Sequence, residues 1–293
     1  MKELPQFLLD LLAATPSRGG GLNLHLFRLA RLLWAFRTEN EIIETLRAVT
    51  AGEPIRRGEI ERAVARSKAC AWTPGKPSQY VAPAWPEIGQ DLRQSVIAAR
   101  DGLADLWESS PVRIEDDQSH TEEIIDQLFS VSGDPLLCAG RSKSRFDTRS
   151  RNEWRGKLSA LAVIVPNPMT ARRGLTQEGK ESAHALSITG ARRTYLVLEQ
   201  DSGSIDEQSA VLLHLAGFAP LVLAVHSGSK SIHGWFACGD ESEQTLRDFM
   251  NYAVQLGADH ATWCRSQFVR MPDGRRETGE QQRVFYFDPE QLA

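Results

Sequence analysis

Thr194-Tyr-Leu-Val-Leu-Glu199-Gln-Asp201 runs four apolar residues into two carboxylates. Its β-branched and aromatic content predicts a strand over 194–198. Side chains two apart on a strand share a face, so Glu199 and Asp201 would stand side by side at its end. Like charges that close repel unless a cation binds them, and hard divalent ions prefer oxygen ligands. The plainer alternative is a strand that runs out into a polar turn.

Further along lies His226-Ser227-Gly228-Ser229-Lys230-Ser231-Ile232-His233-Gly234-Trp235-Phe236. It links two apolar runs, 221–225 and 234–238, that both read as buried strands. Small residues allow close backbone approach, and Lys230 and His233 add donors and positive charge, so the loop is a candidate phosphate cradle built on main-chain N–H groups. The GxxxxGK[ST] spacing of a nucleotide-hydrolase loop is absent. The alternatives are a Ser/Gly hairpin with a surface lysine, and a histidine satisfied in the core beside Trp235.

The third stretch is Gly257-Ala-Asp259, followed by Arg265-Ser-Gln-Phe-Val-Arg270-Met-Pro-Asp-Gly-Arg275-Arg276. Asp259 follows an amphipathic helix predicted over 241–256 and is placed to complete a three-carboxylate cluster with Glu199 and Asp201. The arginines after it suit polyphosphate or a nucleic-acid backbone. The alternative is an Asp capping a turn ahead of a solvated basic run.

Around these stretches the pattern is α+β. A helix is expected near 122–129 and strands at 135–139 and 161–165. Between them is a basic segment with Arg141, Lys143, Arg145, Arg149, Arg151, Arg155 and Lys157. A helix over 206–216 and a last strand over 284–287 complete the order strand, helix, strand, strand, helix, strand. That is the order of a ferredoxin-like, RNA-recognition-type antiparallel sheet.

The acidic pair, the Ser/Gly loop ending in Lys and His, and the Asp before arginines occur in sequence, roughly 30 residues apart. Together they resemble the catalytic domain of the archaeo-eukaryotic primase (primase–polymerase) superfamily, over about residues 122–293. Glu199 and Asp201 match its acidic first motif, Ser231 and His233 its second, and Asp259 its third. Gly228 and Lys230 look like the family's approach to the second motif. A glutamate stands where many members have aspartate, which keeps the charge and lengthens the arm.

The resemblance implies an RNA-recognition-type core with an α/β module on its N-terminal side. It also implies that Glu199, Asp201 and Asp259 hold two Mg2+ or Mn2+ ions. Ser227, Gly228, Ser229, Lys230, His233 and Arg265 or Arg270 would hold the incoming nucleoside triphosphate. Arg141, Lys143, Arg145 and Arg149 would contact template phosphates. The expected activity is nucleotidyl transfer that makes or extends primers on single-stranded DNA. With no ATPase motif, unwinding would fall to a separate helicase. The rivals are a non-catalytic replication or regulatory protein on the same scaffold, and a metal-dependent nuclease.

Residues 1–72 read as a small all-α domain. Leu8, Leu9, Leu11 and Leu12 give a short helix ended near Pro16, and glycines 19–21 break the chain. Apolar residues at three- and four-residue spacing predict a helix over 22–36. Thr38 with Glu41 forms a capping box for a third helix. A fourth turns Ile60, Ala63 and Val64 inward and presents Arg57, Arg62, Arg66 and Lys68 outward. The region resembles the helical domain that accompanies these primases, which there commonly follows the catalytic domain and here precedes it. Partner contact is the alternative role. Residues 73–121 read as a proline-rich linker and a connecting helix over 91–107.

Composition bounds the rest. Hydrophobic residues make up 41% and charged residues 25%, with 34 basic against 38 acidic, so the chain is globular and any nucleic-acid site must be a local patch. Cys70, Cys138, Cys238 and Cys264 form no CxxC pair, which argues against a zinc ribbon and a disulfide framework. No apolar run reaches the roughly 18 residues that span a bilayer. Glu3 and Asp10 interrupt the apolar start and no small-residue cleavage site follows, so a cytoplasmic protein without a membrane partner is expected.

Overall fold

Serines and a threonine cap three of the helices, one of them, Thr38 with Glu41, as the sequence expects. Ser204 Oγ accepts the Glu207 amide at 3.2 Å, Ser242 Oγ accepts that of Thr245 at 3.1 Å, and Glu41 takes the Thr38 amide at 2.7 Å. Each bond satisfies a donor that the first helical turn leaves without an intrahelical partner. The computed structural model describes residues 4–16, 22–73, 85–115, 117–130, 133–176, 180–190 and 192–292. The glycines at 19–21 and the prolines between 74 and 84 lie outside them. The chain divides into two units, Met1–Ala84 and Trp85–Ala293.

The first unit is helical: α1 (Gln6–Ala13), α2 (Leu22–Leu33), α3 (Glu39–Val49) and α4 (Glu59–Ser67). Leu26, Leu29, Leu33, Ile42, Leu46 and Val64 close its core, and Trp34 Nε1 donates to Ser67 Oγ at 2.9 Å across it. Arg57, Arg62, Arg66 and Lys68 are exposed, Arg62 and Arg66 on α4 and Arg57 and Lys68 just beyond its ends. Lys68 faces Glu39 at 3.6 Å.

The second unit is α+β with antiparallel sheets. It opens with α5 (Gln90–Ala98) and α6 (Leu103–Glu108). The single helix expected over 91–107 is therefore two, broken at Gly102, whose φ is +75°. Nor is this segment a connector: Val96 and Leu106 are buried in the core of the second unit. Next come α7 (Thr121–Leu128), β1 (Leu136–Ser142), β2 (Arg145–Ser150), α8 (Arg151–Trp154), β3 (Val163–Ile164), β4 (Gly174–Leu175) and β5 (Glu181–Ser182). The chain ends with β6 (Tyr195–Glu199), α9 (Ile205–Leu215), β7 (Leu221–His226), β8 (Ile232–Ala237), α10 (Glu243–Gln255), β9 (Val269–Arg270) and β10 (Val284–Phe287).

One sheet has the order β2-β1-β3-β9, a second β10-β7-β8-β6, and β4 pairs with β5 alone. Alternation along the strands of the second sheet builds three layers. Tyr195, Val197, Val225 and Trp235 face one way, into a core shared with Leu137, Ala139, Ile164 and Val269 of the first sheet. Leu196, Leu198, Ala224 and Phe236 face the other way, onto Val211 and Leu212 of α9 and Met250 of α10. The strand expected at 284–287 forms, but on β7, at the edge away from β6. The neighbour of β6 beyond Glu199 is instead a single bridge, Gln200 to Ala258. Among the described residues no helix is long and apolar enough to cross a membrane.

Candidate functional site

The antiparallel register of β6 and β8 sets Glu199 opposite His233 and Val197 opposite Trp235. Both members of the first pair point toward the β2-β1-β3-β9 sheet, at the end of β6 where the apolar residues stop. His233 is 2% exposed. Its Nε2 lies 3.3 Å from Glu199 Oε1, and Ser231 Oγ donates to the same oxygen at 3.0 Å. Burial raises the Glu199 pKa, but the His233 contact, Ser231 and the charge of Arg270 outweigh it and hold the carboxyl at about 2. The serine and histidine of the loop and the glutamate of β6 thus form one cluster, as the three-stretch reading expects.

Asp201 lies in the turn beyond β6, with its side chain 70% exposed and Lys230 Nζ 3.9 Å from Oδ1. Lys230 Nζ also donates to the Asp201 carbonyl at 3.5 Å. Asp259 is brought up by its backbone: its N–H donates to the Glu199 carbonyl at 2.7 Å. Its carboxylate caps the 3-10 turn His260–Trp263, accepting the Ala261 amide at 2.9 Å. Asp259 therefore caps a turn, as the plainer reading has it, and adjoins Glu199 through its backbone. Among the described residues, no three His, Cys, Asp or Glu side chains stand together as a metal-binding group. In donor chemistry the three carboxylates suit a hard divalent cation, and among the described residues Asp201 has Lys230 as its one ion-pair partner.

The loop between β7 and β8 closes on itself. The Ser227 amide donates to the Ser231 carbonyl at 2.7 Å, and the Ser231 amide to Ser227 Oγ at 3.1 Å. These two amides therefore serve the turn, and Gly228, Ser229 and Lys230 form its tip. Gly228 has φ +71°, and a Cβ there would lie 3.0 Å from the Gln281 carbonyl oxygen and 3.3 Å from Arg276 Cδ, so the position admits only glycine without strain. A hairpin in which Arg275 bridges Gln281 packs over the glycine.

Cations gather at this end of the sheet. Arg270, on β9, is partly buried; burial and the like charge of Arg276 depress its pKa, while Glu199 opposes them. Among the described residues the Arg270 side chain has no hydrogen bond or ion pair, while its backbone pairs with Val163 of β3. Arg265 is placed elsewhere, near the start of β6. Its Nη1 lies 3.9 Å from Glu243, the carboxylate that pairs with Arg193 at 3.2 Å. Its backbone carbonyl accepts from Asn167, whose own carbonyl takes the Thr194 and Tyr195 amides. The structure thus gives Arg276, not Arg265, to the Glu199 end.

The basic segment folds as a hairpin rather than a linear track. Arg141, Lys143 and Arg145 are exposed at the tip joining β1 to β2, and Arg145 pairs with Glu277. Arg149 lies toward the far end of β2, paired with Asp147 at 2.9 Å and over the Trp154 ring. A pocket of about 390 Å³ there is lined by Arg149, Lys157, Arg172 and Arg173 with Asp147 and Glu153. Arg151 is buried between Glu122 and Asp126, both at 2.8 Å, and Arg155 holds Asp126 at 3.2 Å.

Gln208 of α9 escaped the sequence reading. It is 1% exposed. Its Oε1 accepts the Ile232 amide at 2.9 Å, and its Nε2 donates to the carbonyls of Lys230 at 3.0 Å and Gly203 at 3.1 Å. One side chain thereby ties the Asp201 turn to the Lys230 loop. The available signal is slight, an amide in the polar stretch Asp206-Glu-Gln-Ser just before the apolar run Ala210-Val-Leu-Leu.

No protein-family model, curated protein or solved structure matches the chain.

Proposed function

We propose that the second unit is a metal-dependent nucleotidyltransferase that makes or extends primers on single-stranded DNA. The observation that carries this reading is the convergence of three separate sequence motifs: His233 and Ser231 on the Glu199 carboxylate, and the Asp259 amide on the Glu199 carbonyl. The strand order also supports an RNA-recognition-type core. With residues 258–259 counted as the fourth strand, the order 258–259, β6, β8, β7 is that of a βαββαβ sheet, and β10 is an added edge.

Glu199, Asp201 and Asp259 would hold two Mg2+ or Mn2+ ions. Bound there, the ions supply activation of the attacking hydroxyl and charge stabilisation at the leaving pyrophosphate. Lys230, Arg270 and Arg276 supply fixed positive charge for the triphosphate, and β-hairpin residues Arg141 and Lys143 meet template phosphates. His233, sealed under the loop, holds Glu199 ionised and oriented. A separate helicase would expose the template.

The test adds labelled nucleotides and Mn2+ to the protein on single-stranded DNA. New product supports transfer. Unchanged DNA leaves a binding protein, and shortened DNA a nuclease.

A further inference from the structure

Arg93 comes from α5, outside every motif that the sequence reading assigned to the site. The Gly89 amide donates to the Gln255 carbonyl at 2.9 Å, which fixes the start of α5 to the end of α10, just before Gly257. Arg93 then reaches inward with its side chain 9% exposed. Its Nη2 donates to Gln200 Oε1 at 3.4 Å and to the Ser202 carbonyl at 3.3 Å. Gln200 lies between Glu199 and Asp201, and its backbone bridges Ala258.

The guanidinium fills a gap left by two glycines. A Cβ on Gly203 would come within 2.5 Å of Arg93 Nη2, and one on Gly257 within 3.2 Å of Nε. One glycine follows Asp201 and the other precedes Asp259. The same side chain therefore packs against both carboxylate-bearing turns.

Stability alone does not account for an arginine here. Among the described residues the nearest carboxylate, Glu207, is 3.8 Å away, and Arg93 Nε is buried without a hydrogen-bond partner. A buried charge with one distant counter-ion is commonly matched or bettered by a hydrophobic side chain of similar volume. What the guanidinium adds is a fork that grips the turn after β6 while its stem lies on the turn after α10.

We infer that Arg93 is a positioning residue that locks the Asp201 turn to the Asp259 turn, and so sets the affinity of the carboxylates for a divalent cation. The second half rests on the metal-dependent reading proposed above.

The experiment compares the full chain with Arg93→Met, Arg93→Lys and, as reference, Asp201→Asn. Three quantities are read: amide exchange at Asp259 and residues 200–204, Mn2+ affinity by electron paramagnetic resonance, and melting temperature. Arg93→Met is expected to keep the melting temperature and speed exchange at those amides alone. It is also expected to weaken Mn2+ binding by about 10–100-fold, the usual effect of losing a residue that orients ligands. Arg93→Lys, which keeps the charge, should fall between. Unchanged exchange and unchanged Mn2+ affinity in Arg93→Met would overturn the inference. So would exchange raised evenly across the unit with a lowered melting temperature, which marks a merely structural residue. If Asp201→Asn binds Mn2+ like the parent, the metal reading fails, and exchange at Asp259 still decides whether Arg93 locks the turns.

Discussion

His233 Nε2 lies 3.3 Å from Glu199 Oε1, and the two residues are direct partners in the β6–β8 register. A strand end, a loop and a buried ring are thereby reduced to one electrostatic unit. Among the described residues His233 Nδ1 and Nε2 are both sealed from solvent without a hydrogen bond, and the Glu199 contact orients the ring.

His233→Ala should therefore cost about 1–3 kcal/mol of stability, as expected when a charged group loses its buried partner. Nucleotide affinity should fall much further than affinity for single-stranded DNA. Separate titrations with nucleotide and with DNA, alongside a thermal melt, check this. Equal losses in both would reduce His233 to a core residue.

The hairpin tip and the buried arginine beside it should respond differently. Removing Arg141 and Lys143 together should flatten the salt dependence of single-stranded DNA binding, by roughly 0.7 in log–log slope for each phosphate no longer neutralised. Arg151→Ala should instead destabilise the unit by about 2–3 kcal/mol, below the range for a fully buried pair because Glu122 and Asp126 keep some solvent. Salt titrations and melts of both variants distinguish the two roles. A parental slope in the double variant would remove the tip from the DNA path.

Acidification should weaken the fold through His184. This ring stacks on Phe268 at 4.2 Å between centroids, and burial lowers its pKa below 6.5 despite a hydrogen bond to the Ser266 carbonyl. A folded state that favours the neutral ring is at full strength above the unfolded pKa and weakens as pH falls below it. The melting temperature should drop between about pH 7.5 and about pH 5.5. His25, His214 and His226 shift in the same direction, so His184→Phe should flatten the drop only in part. An identical pH profile for His184→Phe would exclude the ring as a contributor.

A fragment beginning at Trp85 should fold and keep nucleotide binding, because its cores are built entirely from its own residues. It should lose part of the salt slope carried by Arg57, Arg62, Arg66 and Lys68. A fragment cut at residue 122 should not fold well, since it lacks Val96 and Leu106 from the core. Calorimetry and DNA titration of both fragments check this; a cooperative melt from the shorter one would contradict the assignment of α5 and α6.

Local pattern marks strands and loops well and their partners in the sheet poorly. The apolar run into Glu199 and Asp201 and the Ser/Gly approach to His233 are contiguous signals, and they meet because β6 and β8 are neighbours. The strand at 284–287 is equally clear in sequence, yet alternation marks a strand without naming its partner, and it joined β7 instead of the β6 edge. The bridge at Ala258 is too short to leave a pattern. Arg93 reads as one more charge on a helix, because nothing in its neighbours says that two distant glycines leave room for it. Arg265 and Arg270 look alike in sequence; the turn after Asp259 carries the first to the opposite end of β6.

The most direct test of the central claim is incorporation of labelled nucleotides on a single-stranded DNA template with Mn2+, comparing the full chain with Asp201→Ala. Asp201 is exposed beyond the strand, so the substitution should leave the melting temperature unchanged. The account predicts extended product from the parent chain and none from the variant. No product from the parent, or equal product from a folded Asp201→Ala, would contradict it.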